Sequence, residues 1–308
     1  MIQWIFTILF LASPIVTQPV DPKVGVPSVD EQGGVRFESP AQVEAASVAA
    51  PSRRGESIGV VTLSESAIVM DASSGAVLFQ KDAERQRPIA SLSKLLTAQV
   101  VLDHLPGWQT QTSLSAEDNF LTGAKLQENV GEPMTVEQLF WTSLIGSANN
   151  ATSALARSTG LSSDEFREAM NAKAQALGAT MAEFFEPTGL DERNRATAQD
   201  MARIARAAFL REEILKPASQ SAFEFDTLGS KTHHRVQNPN RVFKTFLDVR
   251  ASKTGFTYEA GYCLASLVRG SEGQEVVVVV LGGESEEERV TDTKALATWA
   301  WENYEWRK

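Results

Sequence analysis

The chemistry available to this chain starts from short clusters of polar residues. Ser91-Leu92-Ser93-Lys94 sets a hydroxyl and an amine three residues apart. On a helix, positions i and i+3 share a face, so the Ser91 hydroxyl and the Lys94 amine come within hydrogen-bond reach. Serine is a weak nucleophile until a base takes its proton. The apolar residues around this cluster disfavour an ammonium and lower the lysine pKa toward that of a useful base. Ser91 also falls at a predicted helix N-terminus, where free N–H groups and the helix dipole favour developing negative charge. A lone SxxK arises about once by chance in a chain of this size, and alone it reads as a cap followed by an ordinary lysine.

Two further clusters change that reading. Ser147-Ala148-Asn149 follows Gly146 in a predicted break between helices. A hydroxyl there relays a proton, and an amide both donates to and accepts from a peptide. Lys253-Thr254-Gly255 lies in a strand-forming segment. Its lysine offers a fixed positive charge to a carboxylate, and its glycine lets a substrate backbone approach. Separately, Ser147 and Asn149 read as caps and Lys253 as a solvated charge. The order SxxK, SxN, KTG on helix start, inter-helix loop and strand is far more specific. A competing motif, Gly55-Glu56-Ser57-Ile58-Gly59, matches GxSxG. It leads into a strand-like segment, whereas a nucleophile elbow needs a strand before and a helix after, so Ser57 is set aside.

The elements that must hold these clusters are readable from period and turn signals. Ile58–Leu63 is apolar-rich and predicts a strand, and Ala67–Asp71 with Ala76–Gln80 predicts a hairpin around Ser74-Gly75. A helix is expected from Ser91 to His104, apolar nearly all round and stopped by Pro106-Gly107. Thr135…Gln138, Ser162…Glu165 and Thr197…Asp200 have capping-box spacing, and Gly178 reads as a helix stop. Strands return at Arg250–Thr257, Tyr262–Val268 and Gln274–Leu281; the run Val276–Val280 suggests a central strand buried on both faces. A last helix is expected at Glu286–Asn303, with Trp299, Trp301 and Trp306 packing it on the sheet. This pattern predicts a mixed α/β (α+β) fold, one sheet built from both ends of the chain with a helical lobe inserted at roughly 105–210. A cleft would form where lobe meets sheet.

Composition narrows the function classes. The chain has 308 residues, 43% hydrophobic and 22% charged, which suits a globular protein rather than a disordered, collagenous or multi-pass membrane one. A formal charge of −10 argues against nucleic acid or anionic lipid as the main partner. One cysteine, Cys263, and three histidines without an HExxH leave no disulfide and no recognisable zinc motif, so neither a metal nor another cofactor is expected. His233 and His234 read as surface loop residues without a role. Residues 1–20 are uncharged, and the apolar run Ile2–Val16 is shorter than the roughly 20 residues that span a bilayer. They are expected to be a secretory signal, despite the missing basic segment, which implies export to a periplasmic or extracytoplasmic location. Residues 21–56 read as a flexible tether and residues 57–308 as the catalytic domain.

The clusters and their surroundings resemble a known family. The stretches Asp71–Phe79, Pro88–Asp103, Glu186–Leu190 with Thr197–Ala202, and Ser252–Leu264 are similar to low-molecular-mass penicillin-binding proteins of the serine D-alanyl-D-alanine peptidase family. The resemblance implies a penicillin-recognising fold, acyl transfer on D-Ala-containing peptidoglycan stem peptides, and acylation by β-lactams. By that resemblance Ser91 is the acylated nucleophile, Lys94 its base, and Ser147 the proton relay to the leaving amine. Asn149 would hold the substrate amide, and Lys253 and Thr254 the terminal carboxylate. Gly255 would admit the substrate backbone, and the N–H groups of Ser91 and Phe256 would form the oxyanion hole. Such donors are each worth about 3 kcal/mol in the transition state.

Three departures from the family pattern stand out. Asn150 follows Asn149 where many relatives carry Asp, and Phe256 follows KTG where smaller or polar residues are common, so its backbone donor is expected to survive while its ring narrows or reshapes the substrate site. A C-terminal domain common to many carboxypeptidases of the family is not evident, which favours the short endopeptidase members. The rival activities are a pure carboxypeptidase, a serine β-lactamase and a catalytically silent wall-binding protein. No ExxLN-like segment lies between Ser147 and Lys253, so slow release of bound penicillin is expected.

Overall fold

The computed structural model of the chain describes residues 48–307 and the backbone of a short antiparallel hairpin, Pro27–Val29 with Val35–Phe37. The expected signal segment and most of the expected tether lie outside the described residues. Ser52–Arg53, within the stretch assigned to the tether, pairs with Tyr304–Glu305.

Seven strands carry the architecture: β1 Ser66–Asp71, β2 Val77–Lys81, β3 Ala222–Asp226, β4 His233–Gln237, β5 Asp248–Thr257, β6 Gly261–Arg269 and β7 Glu275–Gly283. Five of them form one antiparallel sheet in the order β5-β6-β7-β1-β2, while β3 and β4 make a separate hairpin. The valine run sits on β7, the middle strand, as its composition requires. Val277 and Val279 join the core under the helical lobe, and Val276, Val278 and Val280 join the core on the opposite face. The period of two sends alternate side chains to opposite faces. Each buried valine contributes about 1.5–3 kcal/mol of hydrophobic stabilisation. The second core is closed by Leu296, Ala297, Trp299 and Ala300 of α8 (Glu286–Asn303). Trp299 meets Phe79 edge-on at 5.4 Å, so this end of the helix does pack on the sheet.

The remaining helices fall between β2 and β5 in the chain. They are α1 Lys94–Asp103, α2 Ala116–Phe120, α3 Val136–Ile145, α4 Asn149–Ser158, α5 Ser163–Ala176, α6 Ala198–Phe209 and α7 Glu212–Ala218. Thr135, Ser162 and Thr197 each cap a helix through the backbone N–H three residues on, and Thr135 and Ser162 complete the reciprocal box. α1 is the central helix, buried from Lys94 to Val101.

Three sequence expectations need correction. Ile58–Leu63 is not a strand: no edge pairs with it, and Ile58, Val61 and Leu63 are exposed. Side chains replace the ladder there. The Asp292 carboxylate accepts from Leu63 N and Ser64 N, and Lys81 Nζ donates to the carbonyls of Thr62 and Ser64. The helix expected from Ser91 begins instead as a 3-10 turn, Ala90–Ser93, and becomes α-helical at Lys94. His233 and His234 lie on β4, not in a loop. His234 is nearly buried against the Phe225 ring, with Nε2 2.9 Å from Glu128 Oε2.

Candidate active site

The 3-10 turn presents Ser91 at the junction of α1 and the sheet. Its entry is held in an unusual conformation, Ala90 having φ +48°. Two glycines make the approach possible. A Cβ on Gly255 of β5 would stand 2.9 Å from Ile89 O and 3.2 Å from Ser91 N. A Cβ on Gly189 would meet Ala90 O at 1.9 Å. Backbone segments from both sides therefore press against the Ser91 turn where no other residue type fits.

Lys94 is fully buried, and its Nζ lies 3.0 Å from Ser91 Oγ. The same nitrogen donates to Asn149 Oδ1 at 2.7 Å and to Thr188 O at 2.6 Å. Burial pushes its pKa down to about 7, against the raising effect of the Glu186 carboxylate. A neutral amine has two N–H groups and one lone pair. With both N–H groups committed to Asn149 and Thr188, the lone pair is left for the Ser91 hydroxyl.

The second cluster closes the cleft from the lobe side. α3 ends at Ile145, and Gly146 and Ser147 break the path before α4 starts at Asn149. A Cβ on Gly146 would stand 2.5 Å from Val236 of β4, so the hairpin packs directly behind this turn. Ser147 has φ +57° and is buried. Its Oγ accepts from Lys253 Nζ at 2.8 Å, across 106 residues of chain. Asn149 donates through Nδ2 to Thr122 O at 2.7 Å. Buried Asn150 faces the other way and ties down the preceding loop, accepting from Leu126 N and donating to Leu126 O and Asn119 Oδ1.

The third cluster lies on β5, an edge strand of the sheet. Lys253 is buried and donates also to Thr254 O at 2.9 Å. Burial, reinforced by the charges of Lys94 and Arg289, holds its pKa well below the ordinary lysine range. Among the described residues neither Lys94 nor Lys253 has a carboxylate within 4.0 Å. An anionic group entering the cleft would meet no competing carboxylate at either lysine, and its charge would favour the protonated form of Lys253. Thr254 is buried beside Lys253. The Phe256 ring is half exposed and leans on Tyr262 at 4.4 Å. The Phe256 ring also meets Tyr258 edge-on at 5.7 Å.

Sequence reasoning missed part of this arrangement. Arg289 of α8 is buried and donates from Nη1 to Gly255 O at 3.1 Å and Cys263 O at 3.3 Å, bracing the KTG strand from behind. The Glu186–Asp191 loop supplies the carbonyl of Thr188 to Lys94. Glu186 shapes that loop by accepting from Thr188 N, Thr188 Oγ1 and Gly189 N, each at 2.6 Å. Asn194 adds a link from Nδ2 to Glu186 O at 2.8 Å. The Glu186–Leu190 stretch was visible as a resemblance; nothing in the local sequence marked Arg289.

The family described as D-alanyl-D-alanine carboxypeptidase matches residues 56–285. The chain belongs to this family. All eight site residues expected from sequence fall within the matched span. Among its relatives is the D-alanyl-D-alanine endopeptidase of Pseudomonas aeruginosa, 35% identical over 71% of this chain and 72% of that protein. Another is the D-alanyl-D-alanine carboxypeptidase DacF of Bacillus subtilis, 31% identical over 78% of this chain and 63% of that protein. A solved D-alanyl-D-alanine carboxypeptidase from Mycobacterium tuberculosis is similar at 25% identity with a TM-score of 0.74, covering 83% of this chain and 99% of that one. A Streptomyces DD-transpeptidase shares the fold at a TM-score of 0.76 and 22% identity, covering 80% of this chain and all of that one. Mixed α and β structure with an antiparallel sheet is thus the family fold. Among the described residues no helix is long and apolar enough to cross a membrane.

Proposed function

We propose that this serine D-alanyl-D-alanine peptidase cleaves peptidoglycan stem peptides through an acyl-enzyme on Ser91. The observation that carries the reading is the buried Lys94 amine, 3.0 Å from Ser91 Oγ with its N–H groups engaged elsewhere. Lys94 takes the Ser91 proton as Oγ attacks the D-Ala carbonyl. The N–H groups of Ser91 and Phe256 hold the oxyanion, and Asn149 holds the substrate amide. Ser147, hydrogen-bonded to Lys253, passes a proton to the departing amine. Lys253 and Thr254 bind the substrate carboxylate, and Gly255 admits its backbone alongside the open edge of β5. Water then hydrolyses the Ser91 ester. β-Lactams acylate the same serine. We further propose that residues 57–308 form the catalytic domain with its inserted helical lobe, and that the chain is exported by way of residues 1–20 and tethered by 21–56.

A serine β-lactamase of this kind would need a free carboxylate to position the deacylating water. Glu186, whose charge acts on Lys94, is consumed by hydrogen bonds within its own loop. The penicilloyl ester should therefore persist. Endopeptidase and carboxypeptidase activities share all of this chemistry and differ in the leaving group. Digestion of a defined pentapeptide and of a crosslinked muropeptide separates them, releasing D-alanine from one and monomers from the other. Both products should vanish in Ser91→Ala; persistence of either would overturn the assignment.

A further inference from the structure

The back of the sheet carries a second recessed surface, far from Ser91. A cavity of about 780 Å³ is walled by Trp301, Tyr304 and Trp306. A neighbouring cavity of about 530 Å³ runs past Phe246 and Leu247 and shares Trp301 and Gly273 with the first. Both border the β6–β7 turn at Gly270–Gly273, and together they make one adjoining groove. Lys253 pairs with Ala265 on β6, and Gly270 lies five residues beyond. At about 3.4 Å per residue the groove begins about 17 Å along the strand from Lys253.

The charges of the groove cancel. Arg54 and Arg307 in the larger cavity are balanced by Glu272 and Glu305, with Arg54 3.8 Å from Glu305. Arg269 and Asp248 balance in the smaller one. A surface of this kind selects neither a polyanion nor a polycation. It offers planar donors and acceptors, from Arg54, Glu272 and Gln274, beside aromatic walls. The Tyr304 hydroxyl and Trp306 N–H are spent inward on Leu78 O and Asp71 Oδ1, so these rings offer apolar surface, while the guanidinium, carboxylate and amide groups match neighbouring hydroxyls. That combination fits a neutral ring with apolar faces and a hydroxyl-bearing edge. Two adjoining cavities leave room for more than one such ring.

We propose that this groove binds a saccharide chain, holding the enzyme on a glycan strand independently of the Ser91 cleft. The test uses the full-length Ser91→Ala protein titrated calorimetrically with chitotetraose, a neutral chain of four N-acetylglucosamine units. Saturable binding is expected, about tenfold weaker in Glu272→Ala and in Arg54→Ala, each of which removes hydrogen bonds from an exposed side chain. Circular dichroism checks that each variant is folded. Wild-type protein fully acylated by penicillin should bind the saccharide as well as Ser91→Ala does. The proposal is overturned by no saturable binding at millimolar saccharide, by unchanged affinity in both variants, or by loss of binding on acylation. None of these outcomes depends on which peptide the Ser91 cleft cleaves.

Discussion

The cleft holds two serine–lysine pairs of almost equal length, built in different ways. Ser91 and Lys94 are three residues apart and are brought together by one helical turn, at 3.0 Å. Ser147 and Lys253 are 106 residues apart and meet at 2.8 Å only because an inter-helix turn of the lobe faces an edge strand of the sheet. Both serines are presented from strained backbone, Ala90 at φ +48° before the first and Ser147 itself at φ +57°. The difference lies in what else each lysine touches. Lys94 has two fixed acceptors that leave its lone pair for a hydroxyl. Lys253 has one further acceptor, its neighbour's carbonyl, and no counter-charge. On the proposed mechanism the local pair moves a proton from serine, and the long-range pair receives an anion and steadies a relay.

That division can be broken by substitution, beginning with the largest effect. Ser91→Ala should abolish covalent labelling by penicillin, while Ser147→Ala should slow labelling without moving it, as read by intact mass. Lys94→Met should cut the acylation rate by about 10²–10⁴-fold, the usual range for a lost general base. In the wild type that rate should rise with pH through about 7 and level above it, because the deprotonated amine is the active form. A rate that falls as pH rises through this range would assign Lys94 an acid role. Gly189→Ala should destabilise the fold by about 3 kcal/mol or more, measured by denaturant unfolding, since its methyl would collide with the Ala90 carbonyl. Arg289→Lys should lower acylation by about tenfold with little loss of fold, because one ammonium cannot span the carbonyls of Gly255 and Cys263 and the Glu286 carboxylate as the guanidinium does. Phe256→Ala should change kcat/KM by only a few-fold, as its backbone donor survives and its ring faces Tyr262.

The two pairs also mark how far the sequence was legible. Ser91–Lys94 follows from helical spacing alone. Ser147–Lys253 became legible only through the order of three clusters, since no local rule links residues so far apart. Elements with a strong period or a paired cap, such as α8, β7 and the capped helices α3 and α5, fell close to their expected bounds. Ile58–Leu63 failed because apolar composition cannot tell whether a sheet edge is available. His234 failed because a hairpin of five-residue strands carries little periodic signal. The conformations that shape the site, at Ala90 and Ser147, are imposed by tertiary contacts on residues that do not ordinarily adopt them. Arg289 acts from the far face of the sheet, where only the fold brings it to Gly255.

The most direct test compares all the candidate serines in one molecule. Purified protein is incubated with a penicillin, its intact mass measured, and the adduct located by peptide mapping. The account predicts a single long-lived adduct on the peptide containing Ser91, with Ser57 and Ser147 unmodified. An adduct on Ser147 or Ser57, or none on a folded protein, would contradict it.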